Sequence, residues 1–338
     1  MKAIYLKEPW NISVADIDTP VPKEGEALIR IRAAGICGSD IGAFRGTNNL
    51  VTYPRVIGHE LAGEIVSVSG ANPRGLEPGD RVVVDPYLYC GRCYPCSIGR
   101  TNCCTQLHVL GVHVDGGMAE YFTHPADMLL KVPDDMPWEL IPMAEPLSIA
   151  LLGVHRLQLK SGEHVAISGA GAIGLLAALV AMHYGAVPIL IDLVEERLAF
   201  ARSLGIPHTI NLKTENLTEK VREYTNGRMA ECVMEASGAN SAIRSAIDIV
   251  SHAGRVVLTG WPKQETMLPT DRITFKEIDI RGSRTSANEF EEAIELIRHG
   301  KIDVRKLLTK VITLDEAPKV LADIEKNPDQ YLKVNVML

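Results

Sequence analysis

The sequence has no block of basic residues, no acidic tail, no low-complexity tract and no internal repeat. Its 35 Lys and Arg residues are outnumbered by 42 Asp and Glu, so the formal net charge is −7 at pH 7. Because nucleic acids and anionic membranes usually bind a basic face, this balance argues against both partners. The 46% of hydrophobic and 23% of charged residues are ordinary for a soluble globular protein. A length of 338 residues favours about two domains.

The first residues, MKAIYLKEPWNISV, lack an apolar core of signal-peptide length, so we expect a cytoplasmic protein. One run, VAISGAGAIGLLAALVAMH (165–183), carries no Asp, Glu, Lys or Arg. Its early glycines and polar flanks predict a buried strand, a turn and a buried helix, and not a membrane span. The cytoplasm keeps thiols reduced, so disulfides are not expected.

Five of the seven cysteines lie in CGRCYPCSIGRTNCC (90–104). Three are spaced by three residues and another follows eight residues later, with glycines that allow the chain to reverse around one ion. The pattern predicts a structural zinc held by four thiolates. The ligands would be Cys90, Cys93, Cys96 and Cys104, which leaves Cys103 as the spare. The alternatives are a set of buried thiols or an iron–sulfur cluster.

A second set of metal-ligand residue types is spread over GICGSD (35–40), GHELAGEIV (58–66) and AEPLSIA (144–150). Zinc accepts the ligand types of Cys37, His59, Glu60 and Glu145. Taken singly, each of these residues is more often a packing or satisfied polar residue than a ligand. Adjacent residues of a strand point in opposite directions, so His59 and Glu60 require a turn or a helix start to face one ion.

These motifs, together with DGGMAEY (115–121) and EPLS (145–148), resemble the zinc-dependent medium-chain dehydrogenases in order and separation. The resemblance covers essentially the whole chain. It implies that Cys37, His59 and Glu60 ligate a catalytic zinc and that Glu145 ligates it or holds its water. The set is similar to the sorbitol, threonine and sugar-acid branch. Classical ethanol dehydrogenases carry a cysteine in place of Glu145.

Two residues depart from the family pattern. Ser69 stands where a small, glycine-like residue is expected, which we regard as minor. Gly42 stands where many relatives have a histidine that passes protons to solvent. We therefore expect Ser39 to hand the substrate proton to the cofactor ribose and then to water.

The segment HVAISGAGAIGLLAALVAMHYGAVPILID (164–192) predicts a dinucleotide site. An apolar strand ends in Gly169-x-Gly171-x-x-Gly174, and a helix follows whose first residues, Ala172 and Ile173, would face the phosphates. A bare GxGxxG is weak, but a second strand here ends in Asp192, which is placed to bind the ribose hydroxyls and to repel a 2′-phosphate. We expect NAD, with Arg197 as a further contact.

Strand-like runs follow at 231–238, 254–261 and 278–284, with helical stretches between them. This alternation predicts a doubly wound parallel sheet. Ligands bind beyond the carboxyl ends of such strands. The expected cofactor contacts there are Ser237, Gly238, Thr259, Gly260, Ser283 and Arg284. Each of them could equally be part of an ordinary strand-to-helix turn.

The resulting fold class is α/β. The resemblance implies a GroES-like β-barrel catalytic domain (1–147 and 285–338), with its structural zinc lobe at about 88–106. A Rossmann domain would occupy 148–284.

The resulting hypothesis is a dehydrogenase with two zinc ions per chain that oxidises a secondary hydroxyl of a polyhydroxylated substrate with NAD. The segment SRTSANEF (283–290) resembles the starvation-sensing type, which acts on sugar acids such as L-gulonate or L-galactonate at C5. Arg284 would then meet the substrate carboxylate or the cofactor. The alternatives are a polyol or L-threonine dehydrogenase, or a zinc- and NAD-binding regulatory protein without turnover. We expect a homodimer or homotetramer and no nucleic-acid or membrane partner.

Overall fold

The computed structural model describes all residues, 1–338, and the chain divides into two compact units. The first unit comprises Met1–Glu145 and Ser286–Leu338, and the second comprises Pro146–Thr285. The sequence predicts these boundaries at 147/148 and at 284/285.

The first unit is built largely from short strands. Its elements before the second unit, with the helix that continues into that unit, are β1 (Lys2–Glu8), β2 (Asn11–Asp16), β3 (Glu26–Ile36), α1 (Gly38–Arg45), β4 (Arg55–Val56), β5 (Glu60–Val68), β6 (Arg81–Val84), β7 (Tyr87–Leu88), α2 (Tyr94–Ser97), β8 (His108–Val109), β9 (Tyr121–Pro125), β10 (Leu129–Lys131) and α3 (Ala144–Leu157). The longest strand, β3, alternates buried Ala27, Ile29 and Ile31 with more exposed residues such as Arg30, which is the period-2 pattern of a strand on a core.

The second unit alternates strands and helices. Its elements are β11 (His164–Ser168), α4 (Ala172–His183), β12 (Val187–Asp192), α5 (Glu195–Ser203), β13 (His208–Asn211), α6 (Leu217–Tyr224), β14 (Ala230–Glu235), α7 (Asn240–Ile249), β15 (Val250–Leu258), α8 (Thr270–Lys276) and β16 (Asp279–Gly282). All six strands are parallel, in the order β13-β12-β11-β14-β15-β16. The predicted doubly wound sheet is confirmed, and its strand order reverses between β11 and β14.

The strand predicted at 254–261 differs in extent from the structure. β15 begins at Val250, before the predicted 254, and ends at Leu258. It stops there because the backbone N–H groups of Thr259 and Gly260 both turn to donate to the Glu235 carbonyl.

The charge-free run 165–183 forms β11, a turn and α4, as predicted. A different stretch, Trp138–Leu157, is long and apolar enough to cross a bilayer, with mean hydropathy 1.2, but 83% of it is buried. Buried helices in protein cores have the same composition.

The chain then returns to the first unit through α9 (Phe290–Arg298), β17 (Leu308–Thr313), α10 (Ala317–Lys326) and β18 (Lys333–Met337). β18 pairs with β3 and completes the sheet order β10-β6-β5-β3-β18-β17, while β9 also pairs with β3. The last strand of the chain therefore lies directly beside the strand that leads into Cys37.

Candidate active site

Three side chains with metal-ligand chemistry converge where β3 ends and β5 begins. The Cys37 sulfur, a His59 ring nitrogen and a Glu60 carboxylate oxygen all lie within 4.8 Å of one another. They meet because β3 and β5 are antiparallel neighbours that pair Gly35 with Glu60, and Cys37 follows β3 directly. Thiolate, imidazole and carboxylate form a donor set that fits zinc.

The backbone before β5 explains how adjacent His59 and Glu60 can face one point. Gly58 has φ of 99°, a left-handed conformation that favours glycine, and His59 precedes the strand while Glu60 is its first residue. A Cβ at Gly58 would also lie 2.8 Å from the Met118 Cβ. The turn that the sequence requires at this point is therefore present.

Asp40 lies behind His59 and was not predicted from the sequence. Its buried carboxylate accepts hydrogen bonds from the backbone N–H of Cys37 at 2.9 Å and of Gly58 at 3.3 Å, and one oxygen lies 3.9 Å from His59 Nδ1. A carboxylate behind a ligating histidine fixes the orientation of the ring. Asp40 thus connects the segments that carry Cys37 and His59.

Glu145 lies outside the group of three whose ligand atoms are within 4.8 Å. It is the second residue of α3, it is buried, and it accepts a hydrogen bond from the hydroxyl of buried Tyr87. Burial, and next the negative charge of Glu60, raise the pKa of Glu145 to about 7. A divalent cation would offset both effects. The geometry thus favours Glu60 over Glu145 as a direct ligand, and Tyr87 is a further residue that the sequence did not reveal.

Ser39 lies in the first turn of α1, and its Oγ is 3.5 Å from His59 Nε2. It is half-buried, in a position that suits the predicted proton acceptor. Gly42 is one turn further along the helix, where a Cβ would meet Asn48 and Thr47 only at ordinary contact distances of 3.5 and 3.8 Å. The lack of histidine at position 42 therefore does not follow from steric crowding at the Cβ.

The four predicted lobe cysteines lie together, with Cys90, Cys93, Cys96 and Cys104 offering sulfurs within 4.8 Å of one another. Gly91 and Gly99 have φ of 68° and 73°, so both reversals of the chain use left-handed glycines. Backbone N–H groups, first that of Thr105, lower the pKa of the Cys93 thiol to about 6. Four such sulfurs without an open position fit a structural zinc.

In the second unit, the predicted glycine loop joins β11 to α4. Gly169 has φ of 103°, and a Cβ on Gly174 would lie 1.8 Å from the Gly169 carbonyl oxygen. Gly171 is the N-cap of α4, and nothing lies within 4 Å of a Cβ built on it. Ala172 and Ile173 are the first two helical residues. The loop therefore leaves open space beside helical N–H groups, as phosphate binding requires.

Asp192 ends β12 and is hydrogen-bonded to the glycine loop. One carboxylate oxygen accepts from the Ala170 N–H at 2.6 Å, and the other accepts from Leu193 and Val194 at 2.7 and 2.9 Å. These bonds fix the carboxylate at the end of the strand next to β11, where the sequence places a ribose acceptor. Arg197 lies half-buried in the first turn of α5.

The loops after β14 and β15 are organised by Glu235, a fully buried carboxylate that sequence reasoning missed. It accepts hydrogen bonds from the backbone N–H groups of Ser237 at 2.8 Å and Gly238 at 3.0 Å. Its carbonyl accepts from Thr259 and Gly260 at 2.8 and 2.9 Å. The four predicted residues at these strand ends are therefore tied to one acidic residue.

Ser283 and Arg284 directly follow β16, the edge strand of the sheet. The buried Ser283 donates its N–H to the Leu258 carbonyl at 2.8 Å, and Arg284 is half-buried. All the predicted cofactor contacts except Arg197 thus lie at, or shortly after, the carboxyl ends of parallel strands.

Comparison with known proteins agrees with this arrangement. Residues 23–134 match the family model of the alcohol dehydrogenase GroES-like domain, and residues 172–299 match that of the zinc-binding dehydrogenases. An uncharacterised zinc-type alcohol dehydrogenase-like protein of Haemophilus influenzae is 54% identical over 337 residues, which cover 100% of this chain and 98% of that protein. An L-galactonate-5-dehydrogenase of Escherichia coli is 35% identical over 311 residues, 91% of each chain.

Among solved structures, RspB of E. coli CFT073, described as an alcohol dehydrogenase complexed with NADH, is 35% identical. It superposes with a TM-score of 0.93 over 100% of this chain and 99% of its own. The alternative of a binding protein without turnover is not supported. The chain belongs to the zinc-dependent medium-chain dehydrogenase family and is an oxidoreductase of the alcohol and polyol type that uses zinc and NAD.

Proposed function

We propose that this dehydrogenase oxidises a secondary hydroxyl of a sugar acid, as an L-gulonate or L-galactonate 5-dehydrogenase does. The similarity to an L-galactonate-5-dehydrogenase over nine-tenths of the chain carries this proposal. Arg284 supports it, because a guanidinium at the carboxyl end of β16 is suited to a substrate carboxylate.

In this proposal Cys37, His59 and Glu60 hold the catalytic zinc, and Asp40 keeps the His59 ring in place. When bound, zinc polarises the substrate hydroxyl as a Lewis acid, and NAD accepts the hydride. Ser39 would relay the hydroxyl proton: its Oγ, in the first turn of α1 and 3.5 Å from His59 Nε2, would accept that proton while its own proton passes to the cofactor ribose and then to water. Glu145, held by Tyr87, orients the water or substrate beside the ion.

The other predicted residues bind the structural zinc and the cofactor in this proposal. Cys90, Cys93, Cys96 and Cys104 bind the structural zinc. The glycine loop binds the NAD pyrophosphate, and Asp192 binds the adenosine ribose. The protein would act in the cytoplasm, where thiols remain reduced and available to metal, and as a homodimer.

The substrate is tested by NADH formation with L-gulonate, L-galactonate, sorbitol and L-threonine, each at several concentrations. We expect kcat/KM for an aldonate to exceed that for the neutral polyol. A preference for sorbitol would replace the proposal with a polyol dehydrogenase, and a preference for L-threonine would replace it with an amino-alcohol dehydrogenase.

The ligand assignment is tested separately by metal content. We expect two zinc ions per wild-type chain. Cys37→Ser should lose one ion and activity while the fold remains, because the remaining ligand set is incomplete. Cys93→Ser should instead lower thermal stability, because a structural zinc contributes directly to folding. Full turnover by Cys37→Ser would disprove the assignment.

A further inference from the structure

A lysine is buried next to the proposed catalytic ligands. Lys333, the first residue of β18, is only 4% exposed. Its ammonium donates to both carboxylate oxygens of Glu60 and, at 3.1 Å, to the Ile36 carbonyl. A buried ammonium is costly unless it is paired and hydrogen-bonded, and here it is both.

The ammonium contacts the two segments that carry proposed zinc ligands. Ile36 immediately precedes Cys37, and Glu60 is itself a ligand candidate. The sheet register brings these groups together, because β18 pairs Val334 with Ile36 while β3 pairs Gly35 with Glu60. Lys333 therefore reaches across β3 to a carboxylate on β5.

Gly35 leaves the space through which Glu60 makes this contact. A Cβ at Gly35 would lie 1.9 Å from Glu60 Oε2 and 3.0 Å from the Glu60 Cβ. Gly35 does not have a positive φ. Position 35 therefore requires glycine because space is lacking for a side chain, and not because of its backbone conformation. Any side chain at position 35 would displace the Glu60 carboxylate from its present position.

We propose that Lys333 is a positioning residue that competes with the catalytic zinc for the Glu60 carboxylate, and so weakens the binding of that ion. This inference rests on the proposed ligand role of Glu60. A Cys37 thiolate and two carboxylates, Glu60 and Glu145, place three negative charges around a divalent ion. The Lys333 ammonium offsets one of these charges, so its removal makes the buried site, which also contains the Asp40 carboxylate, more negative by one charge.

Removal of Lys333 should strengthen zinc binding. Without Lys333, the zinc is the only cation left beside the Glu60 carboxylate, and no ammonium near the zinc repels it. Both changes favour the bound ion. Stronger donation from Glu60 also makes the ion a weaker Lewis acid, so the substrate hydroxyl ionises less readily. A lysine that merely stabilised the sheet would have the opposite effect on zinc, because a loosened site holds metal less well.

The test is zinc affinity at the catalytic site, measured by competition with a chromogenic chelator, beside thermal unfolding and kinetics. Lys333→Met should bind zinc about tenfold more tightly, because a positive charge beside the ion is removed, and should show a lower kcat. Lys333→Arg should stay close to wild type. Gly35→Ala should bind zinc about tenfold more weakly, because its methyl group displaces Glu60. Lys310→Met, which removes an exposed lysine from neighbouring β17, is the matched control.

If Lys333→Met folds poorly, a second variant and a double-mutant comparison give the same test. Lys333→Gln should give the same direction of change, and in a Glu60→Gln background the effect of either substitution should shrink, because only the repulsion between the ammonium and the ion remains to be removed. Unchanged or weaker zinc binding in both Lys333 variants would overturn the inference. If Cys37→Ser still held two zinc ions, the ligand assignment itself would fail. The two failures are therefore distinguishable.

Discussion

At the residue scale, Arg284 is the most informative side chain for substrate choice. The protein carries a formal net charge of −7, so a substrate carboxylate requires a local cation. Arg284 follows β16 at the edge of the sheet where the cofactor residues gather. Its guanidinium could hold a carboxylate through two parallel hydrogen bonds.

Arg284→Ala should therefore reduce kcat/KM for L-gulonate far more than for sorbitol. Losing a charge-assisted hydrogen bond costs about 1.5–3 kcal/mol, or roughly ten- to a hundred-fold in kcat/KM. The measurement is NADH formation with both substrates on both proteins. Arg284→Lys, which keeps the charge but not the planar fork, should recover part of the loss. An equal reduction for both substrates would show that Arg284 serves the cofactor or the fold.

At the scale of elements, the glycine loop and the end of β12 act together through Asp192. Its carboxylate accepts the Ala170 N–H at 2.6 Å, so it both shapes the loop and provides the charge that would repel a 2′-phosphate. The two roles can be separated by substitution. Asparagine keeps an acceptor oxygen without the charge, whereas alanine removes both.

Asp192→Asn and Asp192→Ala should each narrow the preference for NAD over NADP by about tenfold in kcat/KM, because both remove the charge. Only Asp192→Ala should also raise KM for both dinucleotides, because the loop loses its hydrogen bond. Initial rates with each cofactor at saturating substrate measure this. Equal kcat/KM for NAD and NADP in the wild type would remove the basis of the prediction.

β9 carries a buried histidine that should make stability depend on pH. His124 is 1% exposed, and its Nε2 lies 2.8 Å from the Asp85 carbonyl at the end of β6. Burial lowers the pKa of His124 from 6.5 to about 4. Between these two pH values the unfolded chain takes up the proton and the folded chain does not, so this residue destabilises the fold as the pH falls.

Asp85 opposes this effect, because burial raises its pKa from 3.8 to about 7 and the folded chain then binds the extra proton. Comparison with His124→Gln isolates the histidine. The free energy of unfolding of wild type relative to the variant should fall as the pH drops from 6.5 to 4, by at most about 1.4 kcal/mol per pH unit. Denaturant titrations at several pH values measure it. A pH-independent difference would mean that the folded and unfolded chains protonate His124 alike.

At the scale of the whole molecule, the predicted residues that the structure brings together belong mostly to local motifs. The glycine loop and the four-cysteine lobe each lie within a short segment, and their turns require glycine at positions such as Gly91 and Gly169. Lys333 and Glu60 are 273 residues apart, and only the sheet register brings them together. Tyr87 and Glu235 were missed for a related reason, because a single tyrosine or glutamate in an apolar stretch does not reveal its partner.

The proposed homodimer rests on the outer edge of β16. This strand ends the sheet, so one row of its backbone groups has no strand partner within the chain. Three large apolar side chains precede it along the chain: Trp261, Met267 and Phe275 are 73%, 87% and 78% exposed. Antiparallel pairing of two copies about Ile280 would also set Asp279 of each copy opposite Arg281 of the other, which matches opposite charges.

A Met267→Glu, Phe275→Glu double substitution should therefore convert the dimer to a monomer. Neither side chain is buried within the chain, so the substitutions should leave the stability of the single chain almost unchanged, whereas two carboxylates buried between copies would be costly. Sedimentation velocity at micromolar concentration measures the mass of both proteins. Val21→Glu, at an apolar residue that is 82% exposed on the first unit, is the matched control and should remain dimeric. If the wild type sedimented with the mass of a single chain, 36.9 kDa, the dimer would be contradicted. If the double variant still dimerised, the interface would lie elsewhere.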